Sequence, residues 1–150
     1  MLKRILETTD SPADLLARLA LGIAMFPHGA QKALGLFGGY GLAGTYQFFT
    51  AKMGIPAPFA ALAIAAEFLG SLGLIFGCLG RVAAFGILCN MAVAVAMIHG
   101  HVGFFMNWTG GYPAGTEGFE YHILAIGLAL VVMIRGSGPA SIDRALSAKG

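Results

Sequence analysis

Four long apolar stretches alternate with segments rich in glycine and aromatic residues. They run from about Leu15 to Phe37, Phe59 to Leu79, Val82 to His99 and Phe119 to Ile134. Crossing hydrocarbon takes ~20 helical residues, with ~17 to 25 tolerated. The first two stretches fit directly; the third and fourth need their polar flanks. Local punctuation favours helices over strands. Ser11-Pro12-Ala13-Asp14 combines a capping hydroxyl, a proline at the first helical position and an acid three residues after the cap, which reads as a capping box. Asp14 can also pair with Arg18 one turn later. Pro56 and Pro58 precede the second stretch, and Gly80-Arg81 leaves room only for an antiparallel neighbour. Arg135-Gly136-Ser137-Gly138-Pro139 ends the fourth stretch, and Ile142 to Leu146 suits a short interfacial tail. Gly70, Gly73 and Gly77 suit close helix packing through a small-residue face.

The expected fold is an all-α membrane protein: an antiparallel bundle of four transmembrane helices, at about 12–37, 57–79, 82–99 and 117–135, with short interfacial segments in the outer loops. Composition agrees, since 57% of residues are hydrophobic and 11% charged, against ~25% charged in soluble domains. With 150 residues and no linker-like stretch, residues 1–150 read as a single domain. The net charge of +2 is scattered, which argues against nucleic-acid binding. Orientation follows the excess of Lys and Arg in short cytoplasmic loops. A cytoplasmic N-terminus puts Lys3, Arg4, Arg18, Arg81, Arg135, Arg144 and Lys149 inside, against Lys32 and Lys52 outside. Both termini are then cytoplasmic. Pro27-His28 followed by Gln31-Lys32 is no small-residue cleavage site, so the first stretch reads as a retained span and not a secretory signal.

The two long connections fall outside. Residues 35–58 are glycine-rich and then carry Tyr46, Phe48, Phe49 and Met53, which suits a short interfacial helix. The second contains Phe104-Phe105-Met106-Asn107-Trp108, either an aromatic belt or a lid over a site. At ~1.5 Å rise per residue, His28 and Glu67 share a depth roughly 10 Å below the outer surface. His99, His101, Glu120 and His122 fall near the same end, with Gln31 and Lys32. Glu67 is the only charge between Ala57 and Gly77, so its carboxylate must be paired, hydrated or protonated. A structural pair with Lys32 or His28 and a functional role both satisfy that requirement. Asn90 reads as an interhelical hydrogen-bonding residue.

Taken together, Arg18-Leu19-Ala20-Leu21-Gly22, Phe26-Pro27-His28-Gly29-Ala30-Gln31-Lys32, Glu67, Gly103 to Trp108 and Gly118-Phe119-Glu120-Tyr121-His122 resemble the DoxX family, from Arg18 to about Arg144. The resemblance implies a small four-helix protein of the bacterial inner membrane. Relatives are tied to quinol-linked and thiosulfate-quinone oxidoreductases and to membrane complexes that handle oxidative or thiol stress. It supplies no agreed catalytic residues. Three functions of different class follow. One is a redox-linked membrane subunit whose outer pocket holds a quinone or quinol, with Glu67 and His28 exchanging protons while a partner oxidoreductase subunit handles electrons. Gln31, Lys32, His99, His101, Trp108, Glu120 and His122 would line that pocket. Another is a non-enzymatic anchor or assembly module for such a partner. A transporter ranks last, because polar residues thin out below Glu67, leaving Asn90 and Arg18. The bilayer is a partner in every case, and further copies of the chain are compatible with all three.

Histidines on different helices, His28 with His99 or His122, could clamp a haem iron or another metal, although the preferred reading has no metal. Cys78 and Cys89 form no Cys-x-x-Cys arrangement and read as buried small residues, which argues against a thiol relay. No P-loop, dinucleotide fingerprint or zinc-protease motif is present. His28-Gly29 with Gly38-Gly39-Tyr40, and His99-Gly100 with Gly110-Gly111-Tyr112, hint at an internal duplication of two helical hairpins.

Overall fold

Residues 2–111, 113 and 115–148 are described by a computed structural model. Lys149 and Tyr112, used above for orientation and for the duplication, lie outside the described residues. The element order is α1 (Leu2–Leu6), α2 (Pro12–Leu34), α3 (Gly41–Gln47), α4 (Ala57–Phe76), α5 (Gly80–Met97), α6 (Glu120–Arg135) and α7 (Ile142–Ser147). A wide π-type turn, Phe48–Lys52, extends α3, and 3₁₀ turns at Leu36–Gly38 and His99–His101 follow α2 and α5. No strand occurs among the described residues.

The four long helices form a ring in which α2 packs on α4 and α6, and α5 packs on the same two neighbours. Leu21, Met25, Leu74, Ile87, Ala129 and Val132 fill its centre at 1% exposure or less. Two helices, α4 and α5, are long and apolar enough to cross a membrane. Only 33% and 22% of their most apolar windows are buried. A soluble protein would hide such helices in its core, whereas here most of the apolar surface faces outward and needs lipid. α2 is longer, at 23 residues, but carries Asp14, Arg18 and Lys32, and α6 has 16 residues.

Helix ends differ from expectation by up to three residues, for local reasons. α2 stops at Leu34 because Gly35 takes the left-handed conformation (φ 73°) and its N–H returns to the Ala30 carbonyl. α4 stops at Phe76, where Gly77 (φ 65°) caps it in the same way. At the start of α2 the Ser11 hydroxyl accepts the Ala13 N–H (3.3 Å). Asp14 pairs not with Arg18 but with Arg135 Nε (2.6 Å) and with the Thr9 hydroxyl. Arg18 instead turns inward at 1% exposure and gives all its hydrogen bonds to carbonyls. Its partners are Leu74, Ile75 (2.8 Å), Ser137 (2.7 Å) and Ala140 (3.1 Å). Leu74 and Ile75 belong to the last turn of α4, where carbonyls lack helical partners and the helix dipole favours a cation.

Arg81, at the start of α5, plays the same part for α6, donating to the Met133 and Ile134 carbonyls. Each hairpin thus has an arginine at the start of its first helix capping the end of its second. This is a structural parallel to the duplication hinted at by the glycine motifs. Asp143, on α7, accepts the Leu79 and Gly80 N–H groups (2.7 and 2.9 Å) at the start of α5 and the Ser137 hydroxyl (2.6 Å). The end of the bundle carrying α1 and α7 is therefore sealed by paired polar groups.

Candidate functional site

At the opposite end, the end that carries the long loops, the ring opens into a cavity of about 570 Å³. α2 contributes Met25, His28 and Lys32 to its wall, one helix face turning past every three or four residues. α4 contributes Ala63 and Glu67, α5 contributes Asn90 and Met91, and Tyr121 and His122 come from α6. Met106 and Trp108, from the loop before α6, line its rim.

On the cavity wall Lys32 Nζ and Glu67 Oε1 form an ion pair at 2.8 Å, with 6% of the Glu67 side chain exposed. Burial of a carboxylate is costly unless a donor stays within reach, and Lys32 meets that requirement across the α2–α4 interface. Close helix approach makes the reach possible. A Cβ on Gly29 would lie 2.6 Å from Phe68 Cα and 2.7 Å from the Glu67 carbonyl oxygen, so only glycine lets α2 touch the α4 backbone here. Asn90 donates to the Ala63 carbonyl (2.7 Å), tying α5 to α4 on the cavity wall.

Three of the four histidines face the cavity. The rings of His99 and His122 lie 4.2 Å apart, and that of His28 lies 6.2 Å from Tyr121. His99 Nδ1 is 2.7 Å from the Glu117 carbonyl, which can only accept. Nδ1 therefore carries the hydrogen, and in the neutral ring Nε2 keeps its lone pair. His122 is buried at 6% exposure, and its Nδ1 has no hydrogen-bond partner among the described residues. A buried ring nitrogen left free by the protein in this way can exchange a hydrogen bond with whatever occupies the cavity. Among the described residues the Tyr121 hydroxyl meets only the Met25 sulfur (3.4 Å), a weak acceptor.

His28, Lys32, Glu67, His99, Trp108 and His122 thus share one cavity, while Gln31, His101 and Glu120 do not line it. Gln31 holds the loop after α2 through the Phe37 carbonyl (3.2 Å), and His101 is exposed. Glu120 acts on the cover, accepting the Trp108 indole N–H (2.5 Å) and the Met106 N–H (3.1 Å). Glu67 is paired with Lys32, and no hydrogen bond joins it to His28 among the described residues. Lining residues that the sequence did not assign to the pocket include Tyr121, Asn90, Glu117 and three methionines, Met25, Met53 and Met91, while Met106 falls in the segment read as a belt or a lid. A tyrosine beside a helical histidine was the available signal for the first; methionines carry none. Among the described residues no three His, Cys, Asp or Glu side chains converge to hold a metal.

A second, almost wholly apolar groove of about 990 Å³ runs down the outside of α4 and α5. Cys78 and Cys89 line it, the first half-buried and the second exposed, so they are not the buried core residues expected from sequence.

No curated protein and no solved structure matches the chain. A model of the DoxX family matches residues 13–100. That segment covers α2 to α5 and more than half of the chain, including His28, Lys32, Glu67 and His99. The match stops short of the Gly103–Trp108 and Gly118–His122 stretches that also carried the resemblance. With two apolar helices turned outward and this family match, the chain is an integral membrane protein and belongs to the DoxX family.

Proposed function

We propose that the chain is a four-span, redox-linked membrane subunit that binds a quinone or quinol in the loop-end cavity and works with a partner oxidoreductase. The cavity carries this reading. It is concave and mainly apolar, with a few polar groups converging on it, as in sites that hold small organic ligands. Quinone carbonyls need donors, and Lys32 and Tyr121 supply them. Oxidation of one quinol releases two protons and two electrons. In this reading His28 and Glu67 take the protons, and the electrons pass to the redox centre of the partner subunit.

Four spans are supported by outward apolar side chains on the remaining two long helices: Leu16 and Ile23 on α2, Leu124 and Ile134 on α6, each more than 60% exposed. The sealed end holds Arg18, Arg81, Arg135 and Arg144 with both terminal helices, so we assign it to the cytoplasm and the cavity to the outer side of the bacterial inner membrane. The buried layer of Leu21, Leu74, Ile87 and Val132 argues against a transport path. A non-enzymatic anchor is the second reading, favoured by Phe105 and Trp108, at 77% and 76% exposure on the cover loop, as a contact surface.

The test is purification in mild detergent, followed by extraction and mass spectrometry of bound small molecules. Stoichiometric quinone, depleted in a Glu67→Gln/His28→Gln variant that still folds, supports the reading. A folded wild-type protein that neither retains quinone nor binds added quinone overturns it.

A further inference from the structure

Polar side chains on the cavity wall spend their hydrogens on the protein and leave their acceptor ends over. His99 sits in the 3₁₀ turn after α5, and its Nδ1 lies 2.7 Å from the carbonyl of Glu117. A carbonyl only accepts, so Nδ1 holds the hydrogen of the neutral ring, and Nε2 has a lone pair and nothing to donate. The His122 ring packs against it, 4.2 Å away. Asn90 repeats the arrangement. Its Nδ2 donates to the Ala63 carbonyl (2.7 Å), which fixes the orientation of the amide and leaves Oδ1 to accept. The donors of the same wall are already partly engaged: Lys32 gives a hydrogen to Glu67 (2.8 Å), and the Tyr121 hydroxyl gives its only one to the Met25 sulfur. Two acceptors of fixed role, His99 Nε2 and Asn90 Oδ1, thus belong to residues that line the cavity.

A quinone and its quinol differ in the one property this pattern reads. Quinone oxygens only accept, whereas each quinol hydroxyl donates a hydrogen and still accepts. The remaining N–H groups of Lys32 and the Tyr121 hydroxyl can serve an oxygen of either form. His99 cannot. Beside a quinone its Nε2 loses contact with water and gains no partner, which is costly in a mainly apolar space. We infer that the cavity selects the reduced, dihydroxy form of its ligand, with His99 Nε2 accepting a quinol hydroxyl hydrogen and setting the specificity. The inference rests on the quinone-or-quinol reading of the cavity and narrows it to the quinol. Tighter binding of the quinol stabilises the reduced form, so the bound couple sits at a higher potential than the free one.

The test measures equilibrium binding of tetramethylbenzoquinone and of tetramethylhydroquinone to the whole chain in mild detergent. It is run without oxygen at about pH 8, where an ordinary imidazole is neutral, and corrected for partition into empty micelles. The ring is fully substituted and cannot add to Cys78 or Cys89. The quinol should bind about tenfold more tightly than the quinone, which raises the potential of the bound two-electron couple by about 30 mV. His99→Phe keeps a flat ring and removes both nitrogens; it should weaken the quinol about fivefold or more and leave the quinone unchanged. The dimethyl ether of the quinol keeps both oxygens and donates nothing, so it should bind wild type no better than the quinone does, a result that needs no variant to fold. Equal affinity for the two forms, or tighter quinone binding, overturns the selectivity while leaving the cavity reading intact. So does an ether that binds as tightly as the quinol. A quinol preference that survives unchanged in folded His99→Phe overturns the assignment to His99. If wild type binds neither form, the cavity reading fails and the selectivity with it.

Discussion

Replacing Gly29 by alanine adds one methyl group at the tightest point beside the candidate site. The new Cβ would stand 2.6 Å from Phe68 Cα, 2.7 Å from the Glu67 carbonyl oxygen and 2.8 Å from the Phe68 nitrogen. These are backbone atoms and cannot rotate away, so α2 and α4 must part by about 0.8 Å to reach ordinary contact. Overpacking of this kind costs about 1–3 kcal/mol, and the upper half of that range applies where backbone meets backbone. Better helix propensity returns about 0.5–1 kcal/mol. The net loss is about 1–2 kcal/mol, or roughly 3–6 °C in Tm for a chain of this size. Gly127, on α6, is the internal control, because a Cβ there meets nothing within 4 Å. Gly127→Ala should keep or raise Tm. Thermal unfolding in mild detergent, followed by the fluorescence of Trp108, measures both. A Gly29→Ala protein as stable as wild type would refute the close approach of α2 and α4 at Glu67.

Lys32→Met leaves Glu67 buried without its cation and should lower stability by about 2 kcal/mol, below the full cost for a buried pair because 27% of the Lys32 side chain is exposed. Adding Glu67→Gln should restore most of it, and a double-mutant cycle on Tm reads the coupling. Arg18→Lys keeps the charge but loses the fork that reaches four carbonyls, at about 1–3 kcal/mol; a Tm within 1 °C of wild type by our rough scale would remove Arg18 as the α4 cap. Reporter fusions after Gly111 should read out as external and those after Arg81 as cytoplasmic, and a cytoplasmic Gly111 would place the cavity on the wrong face.

The number and order of long helices were legible because each apolar stretch is bounded by proline, glycine or charge. Pro56 sets the start of α4 at Ala57, and Gly77 sets its end. The start of α6 was less legible. Residues 103–105 bond through their carbonyls to the N–H groups of Gly118, Phe119 and Glu120, so the segment counted as helix from 117 is occupied by a long-range loop contact. Within the site, counting along the axis gave depth but not azimuth. At ~100° per residue, Lys32 and Met25 lie ~40° and ~60° to one side of His28, and Gln31 lies ~60° to the other. The cavity falls on the side of Lys32, which is why Gln31 shares the depth but not the wall. His101 escaped the count differently, because the helix gives way to a 3₁₀ turn at His99 and the periodicity stops.

The two ends of the bundle differ in how completely their polar groups are satisfied, and this difference separates framework from function. At the sealed end, Arg18, Asp14, Ser137 and Asp143 are each at most 2% exposed, and each has geometrically defined partners. Such saturation fixes the hairpins against each other and leaves nothing to bind with. At the loop end, among the described residues, His122 Nδ1 is buried without a partner, the Tyr121 hydroxyl meets only a thioether, and the Lys32–Glu67 pair keeps one member partly exposed. Orphaned capacity costs stability, and a chain of this size has little to spare. Its concentration around the loop-end cavity, with Trp108 at the rim, is the reason for placing the function at this end of the bundle and the framework at the other.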